Sequence, residues 1–233
     1  MRNNAVPING HDALYRVGTT GWQLAPECAA VHAAERIAVI ADVHLGYEWA
    51  RGASGDCVPA HSLAETLHRL STLVERCAID RLVVAGDLVE SPAPCARTDA
   101  DVARLRGWLS ARGIALVPLA GNHDRAAAEV RTTLEVAGWT IGHGHRKIAA
   151  ARTISGHHHP ILRAGCHASP AFLVGPKRIV LPAFSRNAAG GNVASPSVAA
   201  HWRHEPLHCL ACPAGEWLDF GPLSRLPARL RAL

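Results

Sequence analysis

Apolar residues fall along this chain in short runs that stop abruptly in polar ones. RIAVIA (36–41) gives way to DVH, RLVVA (81–85) to GD, and ALVPLA (115–120) to GNHD. WTI (139–141) leads into GHGH, and ARTIS (151–155) into GHHHP. Runs of this length and β-branched content predict buried strands. Helical spacing fills the gaps between them. SLAETLHRLSTLVERC repeats its apolar positions at Leu63, Leu67, Leu70, Val74 and Cys77, and Ser62 with Glu65 reads as a capping box. TDADVARLRGWLSARG predicts a helix from Thr98 to a glycine stop at Gly113, and DRAAAEVRTTLEVAG another from Asp124 to Gly138. Strand alternating with helix argues a layered α/β fold. Beyond residue 165, AFLVG, RIVLPAF, SVAAHW and HCLACP read as strands of a second sheet, and the basic tail LSRLPARLRAL has no placement.

Length and composition narrow the class. The 233 residues suit one substantial domain, 1–233, with a motif core at about 36–160 and second-sheet strands at about 165–220. At 48% hydrophobic and 18% charged, the composition is that of a globular protein. No apolar run is long enough to span a membrane, and the first residues lack the apolar run of a secretion signal, so a cytoplasmic location without membrane association is expected. Seven cysteines, an odd and scattered set, argue against a secreted disulfide scaffold. Cys209 and Cys212 form a C-x-x-C with no second such pair, and read as two buried or edge thiols. The net charge of +5 favours anionic partners, nucleic acid among them, although many arginines sit on what reads as a solvated helix face.

The polar tips of the five runs carry the chemistry. They supply Asp42, His44, Asp87, Asn122, His123, Asp124, His143, His145, His157 and His159. Each taken singly reads as a turn or cap residue. Gathered at one end of a sheet they would bury many unpaired polar groups, unless they hold a metal. In SGHHHP (155–160) an extended strand end would turn only the outer histidines, His157 and His159, to one point, with His158 facing elsewhere.

The motifs DVH, GD, GNHD, HG and GHHH, in that order, closely resemble those of the calcineurin-like metallophosphoesterase superfamily. The resemblance implies a four-layer α-β-β-α sandwich of two mixed β-sheets flanked by helices, an α/β fold, with a binuclear centre at the strand ends. Carried over position by position, it assigns Asp42, His44 and His159 to one divalent ion. Asn122, His143 and His157 go to the other, with Asp87 bridging. His123 then resembles the family's general acid, oriented through a carboxylate–imidazole bond from Asp124, while His145 and Arg125 remain as possible substrate contacts. A nitrogen and oxygen donor set suits Mn, Fe or Zn, and the resemblance favours Mn²⁺. Two such ions would clamp a phosphoryl group and supply a hydroxide nucleophile near neutral pH.

Phosphoprotein phosphatases of this superfamily carry GDxxxRG. Here the stretch is GDLVESPAP, without the arginine, which favours a phosphodiester substrate. ADVHLGYEWA (41–50), LVVAGDL and LPAFSRNAAGGNV (181–193) are further similar to the ligase-associated DNA damage response endonucleases and their archaeal relatives, with Ser185 a departure from that group. That similarity implies a nucleic-acid phosphodiesterase or endonuclease acting on DNA or RNA in repair, in association with a DNA ligase. Tyr47 and Glu48 either line the site or cap the loop that follows. A small-molecule phosphodiesterase or phosphatase acting on nucleotides stays open as the alternative. A non-catalytic scaffold would show eroded ligands, and here all seven ligands and His123 are present.

Overall fold

The structure, a computed structural model, describes residues 6–7, 14–124, 131–202 and 204–226. Two β-sheets pack face to face. The first has six strands in the order Tyr15–Arg16, Trp22–Ala25, Ala29–His32, Ile37–Ile40, Arg81–Val84 and Ala115–Pro118. Its first four strands run antiparallel as a meander, and the last three are mutually parallel. The second sheet has ten strands. Within it Thr153–Ser155 pairs parallel with both Trp139–Gly142 and Arg178–Val180, and antiparallel strands from His167–Val174 to Leu218–Pro222 complete one side.

Alternation along the strands builds the layers. Ile37 and Val39 face the second sheet, in one apolar cluster with Trp139, Ile141, Ile154, Phe172 and Trp217. Ala38 and Ile40 face the other way, against Leu70 and Leu73 of one helix and Leu105 and Leu109 of another. The helices are α1 (Tyr47–Ala53), α2 (Ser62–Arg76), α3 (Ala96–Ser110) and α4 (Pro196–His201). The outer face of the second sheet packs Leu173, Val180 and Cys209 against Trp202, just beyond α4. Burying each such large apolar side chain contributes roughly 1.5–3 kcal/mol. The layers are thus helices, sheet, sheet and helix, as the resemblance implied. No helix among the described residues is long and apolar enough to cross a membrane.

Several local expectations need correction. The helix expected over 124–138 lies partly outside the described residues, and Thr133–Val136 is a strand. It forms a hairpin with Trp139–Gly142, turned by Ala137 and Gly138, both at positive φ (49° and 75°), which is the geometry a tight hairpin demands. SVAAHW is not a strand. Pro196 at the first helical position starts α4, and Val198 and Trp202, one turn apart, face the core. Ser62 does not cap α2. The helix already includes it, so its buried hydroxyl has no partner. α3 begins at Ala96 and not Thr98. The boundary between the sheets falls after Ala115–Pro118, so the runs at 139–141 and 153–155 belong to the second sheet. The N-terminal meander was not foreseen.

Candidate metal centre

Three parallel strands of the first sheet and two of the second end at the same edge of the sandwich, and every motif lies just past one of those ends. The loops are laced together by main-chain bonds. The amide of Asp42 bonds the carbonyl of Gly86, and the amides of Val43 and His44 both bond the carbonyl of Asp87. Five of the expected ligands sit at positive φ: Asp42 (57°), His44 (52°), Asp87 (53°), His157 (70°) and His159 (42°). Each such residue costs on the order of 1–3 kcal/mol, and such costs concentrate at functional sites. The motif glycines explain the close packing. A Cβ on Gly86, itself at φ 87°, would fall 2.4 Å from His143, and one on Gly121 would fall 2.0 Å from the Asp87 carboxylate.

Side chains then converge. Asp42 Oδ1 lies 2.9 Å from His143 Nε2 and 3.2 Å from His159 Nε2, and Asp87 Oδ2 lies 3.2 Å from His143 Nε2. Three groups have donor atoms within 4.8 Å of one another: Asp42–His44–His159, Asp42–Asp87–His143 and His44–Glu90–His123. The carboxylate common to the first two is Asp42. The His157 ring packs on that of His143 at 4.9 Å, and its amide bonds Asp42 Oδ2. Asn122 is exposed on the wall of a groove of about 760 Å³ that also includes His143, His145, Arg146 and Lys147. Arg125 lies outside the described residues.

The family model for calcineurin-like phosphoesterases matches residues 35–162, more than half of the chain. The chain belongs to that family. Family members use divalent metal ions, and the donor groups fit one. Nε2 of buried His44 and Nε2 of His159 have no aligned hydrogen-bond partner, as expected of donors directed at an ion. The chain is 35% identical over 89 residues to the DNA double-strand break repair protein Mre11 of Methanopyrus kandleri, a match covering 38% of this chain and 19% of that one. The chain therefore spans about a fifth of that relative's length. The crystal structure of Pseudomonas putida nuclease MPE superposes with a TM-score of 0.67 at 22% identity, over 92% of this chain and all of that one. That likeness shows the shared fold.

Electrostatics in this phosphoesterase follow from the packing. Burial alone would raise the Asp42 carboxyl, but the imidazoles of His143 and His159 outweigh it and hold it well below the usual range. Burial likewise opposes ionisation of Asp87, and the hydrogen bonds from His143 and from the His123 amide win. Burial pushes His143 down, yet its bonds to Asp42 and Asp87 bring it up to about 9. Burial and the charge of His143 push His145 and His157 down. His145 Nδ1 lies 3.0 Å from His143 Nδ1, so it braces an expected ligand as well as lining the groove.

Two expectations change here. Asp124 makes no contact with the His123 ring. Its carboxylate accepts the amides of Asp87 (2.9 Å), Gly121 (2.8 Å) and Val89 (3.2 Å), tying the GD and GNHD loops together. The His123 ring is oriented by the carbonyl of Glu90, 2.7 Å from its Nδ1. The GHHH segment is not extended. Positive φ at His157 and His159 turns the outer rings inward, while His158 packs on His201 and Trp202 at 4.8 Å. The structure also accounts for the 181–193 segment. Ser185 N bonds the Asp42 carbonyl, and the Ala189 carbonyl lies 3.0 Å from His159 Nδ1. Tyr47 and Glu48 open α1, and Glu48 is buried. Sequence reasoning missed Glu90 and Ala189. No residue-type signal marks the latter, because its backbone acts.

Proposed function

We propose that this chain is one metallophosphoesterase domain that hydrolyses phosphodiester bonds of nucleic acid in the cytoplasm, as part of DNA repair. In this reading Asp42, His44 and His159 hold one divalent ion, Asn122, His143 and His157 the other, and Asp87 lies between them. The observation that carries it is the convergence of Asp42, His44, Asp87, His143 and His159 at one edge, where Nε2 of His44 and Nε2 of His159 make no aligned hydrogen bond. When bound, two divalent ions, Mn²⁺ by resemblance, supply Lewis-acid charge and an activated water. A carbonyl can only accept, so Nδ1 of His123 keeps the proton it donates to the Glu90 carbonyl, and a second proton, carried on Nε2, is the one that would pass to the leaving oxygen. Asp124 keeps the loops of Asp87 and His123 in register.

Nucleic acid is favoured over a small nucleotide by the names of both similar proteins, a double-strand break repair protein and a nuclease, and by the basic net charge. Association with a DNA ligase rests on the sequence resemblance alone. A hydrolysis panel with added Mn²⁺ tests the reading: single- and double-stranded DNA, RNA, cyclic nucleotides, a chromogenic diester and a chromogenic monoester. The polynucleotides should be cleaved, and the diester should exceed the monoester in kcat/KM by at least about tenfold, the worth of one missing charge-assisted contact. Turnover confined to the monoester or to free nucleotides would replace this reading with the small-molecule one.

A further inference from the structure

Glu90 stands three residues after Asp87, and the sevenfold ligand set does not use it. Its side chain is largely buried, with Oε2 2.8 Å from Nδ1 of His44. The approach is oblique. Neither His44 nitrogen makes an aligned hydrogen bond, so this is a close polar contact short of one. The main-chain carbonyl of the same residue holds Nδ1 of His123 at 2.7 Å. The His44 and His123 rings meet edge to face at 5.1 Å. One residue therefore touches a proposed metal ligand with its side chain and the proposed acid with its backbone.

We infer that Glu90 is a positioning residue for both. Its carboxylate fixes the His44 ring and strengthens that ring's hold on a cation, and its carbonyl fixes which nitrogen of His123 is free to give a proton. The carboxylate groups with His44 and His123, whereas Asp42, His44 and His159 form their own group without it. It therefore acts on the centre through His44. A carboxylate beside a ligating imidazole orients the ring and makes it a better donor, and removing such a partner typically costs 10–100-fold in metal affinity. The arrangement also explains why Asp124 is free for the loops. His123 already has its orienting acceptor. This inference rests on the proposed metal centre.

The test is calorimetric titration of Mn²⁺ alone into chelator-stripped wild type, Glu90→Ala and Glu90→Gln, with thermal unfolding of each as a check on folding. All three should saturate at the same number of ions. Glu90→Ala should bind one ion about 10–100-fold more weakly. Glu90→Gln keeps an oxygen but not the charge, so it should fall between the other two, and it carries the test if the alanine variant does not fold. Both variants keep the carbonyl to His123, so the ratio of nitrophenyl-diester to natural-ester turnover should not change. Wild-type affinity in both variants overturns the inference. So does saturation one ion short, which would make Glu90 a ligand. If the wild type takes up no manganese, the metal-centre reading itself fails.

Discussion

The carboxylate of Asp124 accepts the main-chain N–H of Asp87 at 2.9 Å, across 37 residues of chain. It thereby holds an aspartate whose backbone sits at φ 53°, a conformation that non-glycine residues adopt only under constraint. With the Val89 amide it makes two bonds between the motif loops, and with the Gly121 amide a third inside its own loop.

Removing that carboxylate should therefore act through structure. Asp124→Ala should lower stability by about 3 kcal/mol, since it leaves three partly buried amides without their charged acceptor. Denaturant unfolding of metal-free protein measures this. Asp124→Asn, which keeps an oxygen acceptor, should lose less. If both variants retain wild-type stability and lose only turnover, Asp124 acts in the chemistry and not in the fold.

His158→Ala should leave bound metal and turnover nearly unchanged, while His157→Ala and His159→Ala should each lose metal. The middle ring packs on Trp202 and His201 and meets the His157 ring edge to face at 5.1 Å, but it belongs to none of the donor groups. Losing that contact should cost about 1 kcal/mol of stability. Metal analysis of the three variants decides it, and equal metal loss in all three would mean that His158 belongs to the centre.

The fold class and the strand-end motifs were legible because buried strands and their polar tips have a short, local pattern. What was not legible depends on contacts distant in sequence. The stretch before the 133–142 hairpin turn read as a helix stopping at Gly138, whereas Ala137 and Gly138 form the turn itself. Asp124 was paired with His123 by analogy with catalytic carboxylate–imidazole pairs, yet its partners include Asp87, far upstream. His158 was placed facing away for the wrong physical reason. Positive φ on either side, and not strand alternation, turns it out. Backbone acceptors such as Ala189 leave no trace in residue identity.

Metal uptake should be coupled to proton release. Burial lowers His143, and the carboxylates of Asp42 and Asp87 overcome this and raise it to about 9 in the metal-free protein. A raised histidine contributes stability that is fully present below its unfolded value of 6.5 and lost as pH climbs through about 9. Metal-free protein should thus lose stability between those values. Divalent affinity should rise over the same window, because the ion must displace the proton. Calorimetry in buffers of different ionisation enthalpy counts the protons released. No release at pH 7.5 would contradict the charged state of His143.

His123→Ala should keep its metal and lose turnover by about 10²–10⁴-fold on a natural nucleotide ester, whose alkoxide leaves poorly without a proton. A nitrophenyl diester, with a good leaving group, should suffer far less. Both rates and metal content should come from one preparation. Equal losses on both esters, or a missing ion, would remove His123 from the role of acid.

The most direct measurement is diester hydrolysis against bound manganese in one titration of chelator-stripped protein. The account predicts no turnover without metal, and activity that climbs until two ions are bound per chain. Asp87→Asn should fall short of that stoichiometry. Full turnover in the stripped protein, or an activity that saturates at a single ion in the wild type, would contradict a binuclear phosphodiesterase.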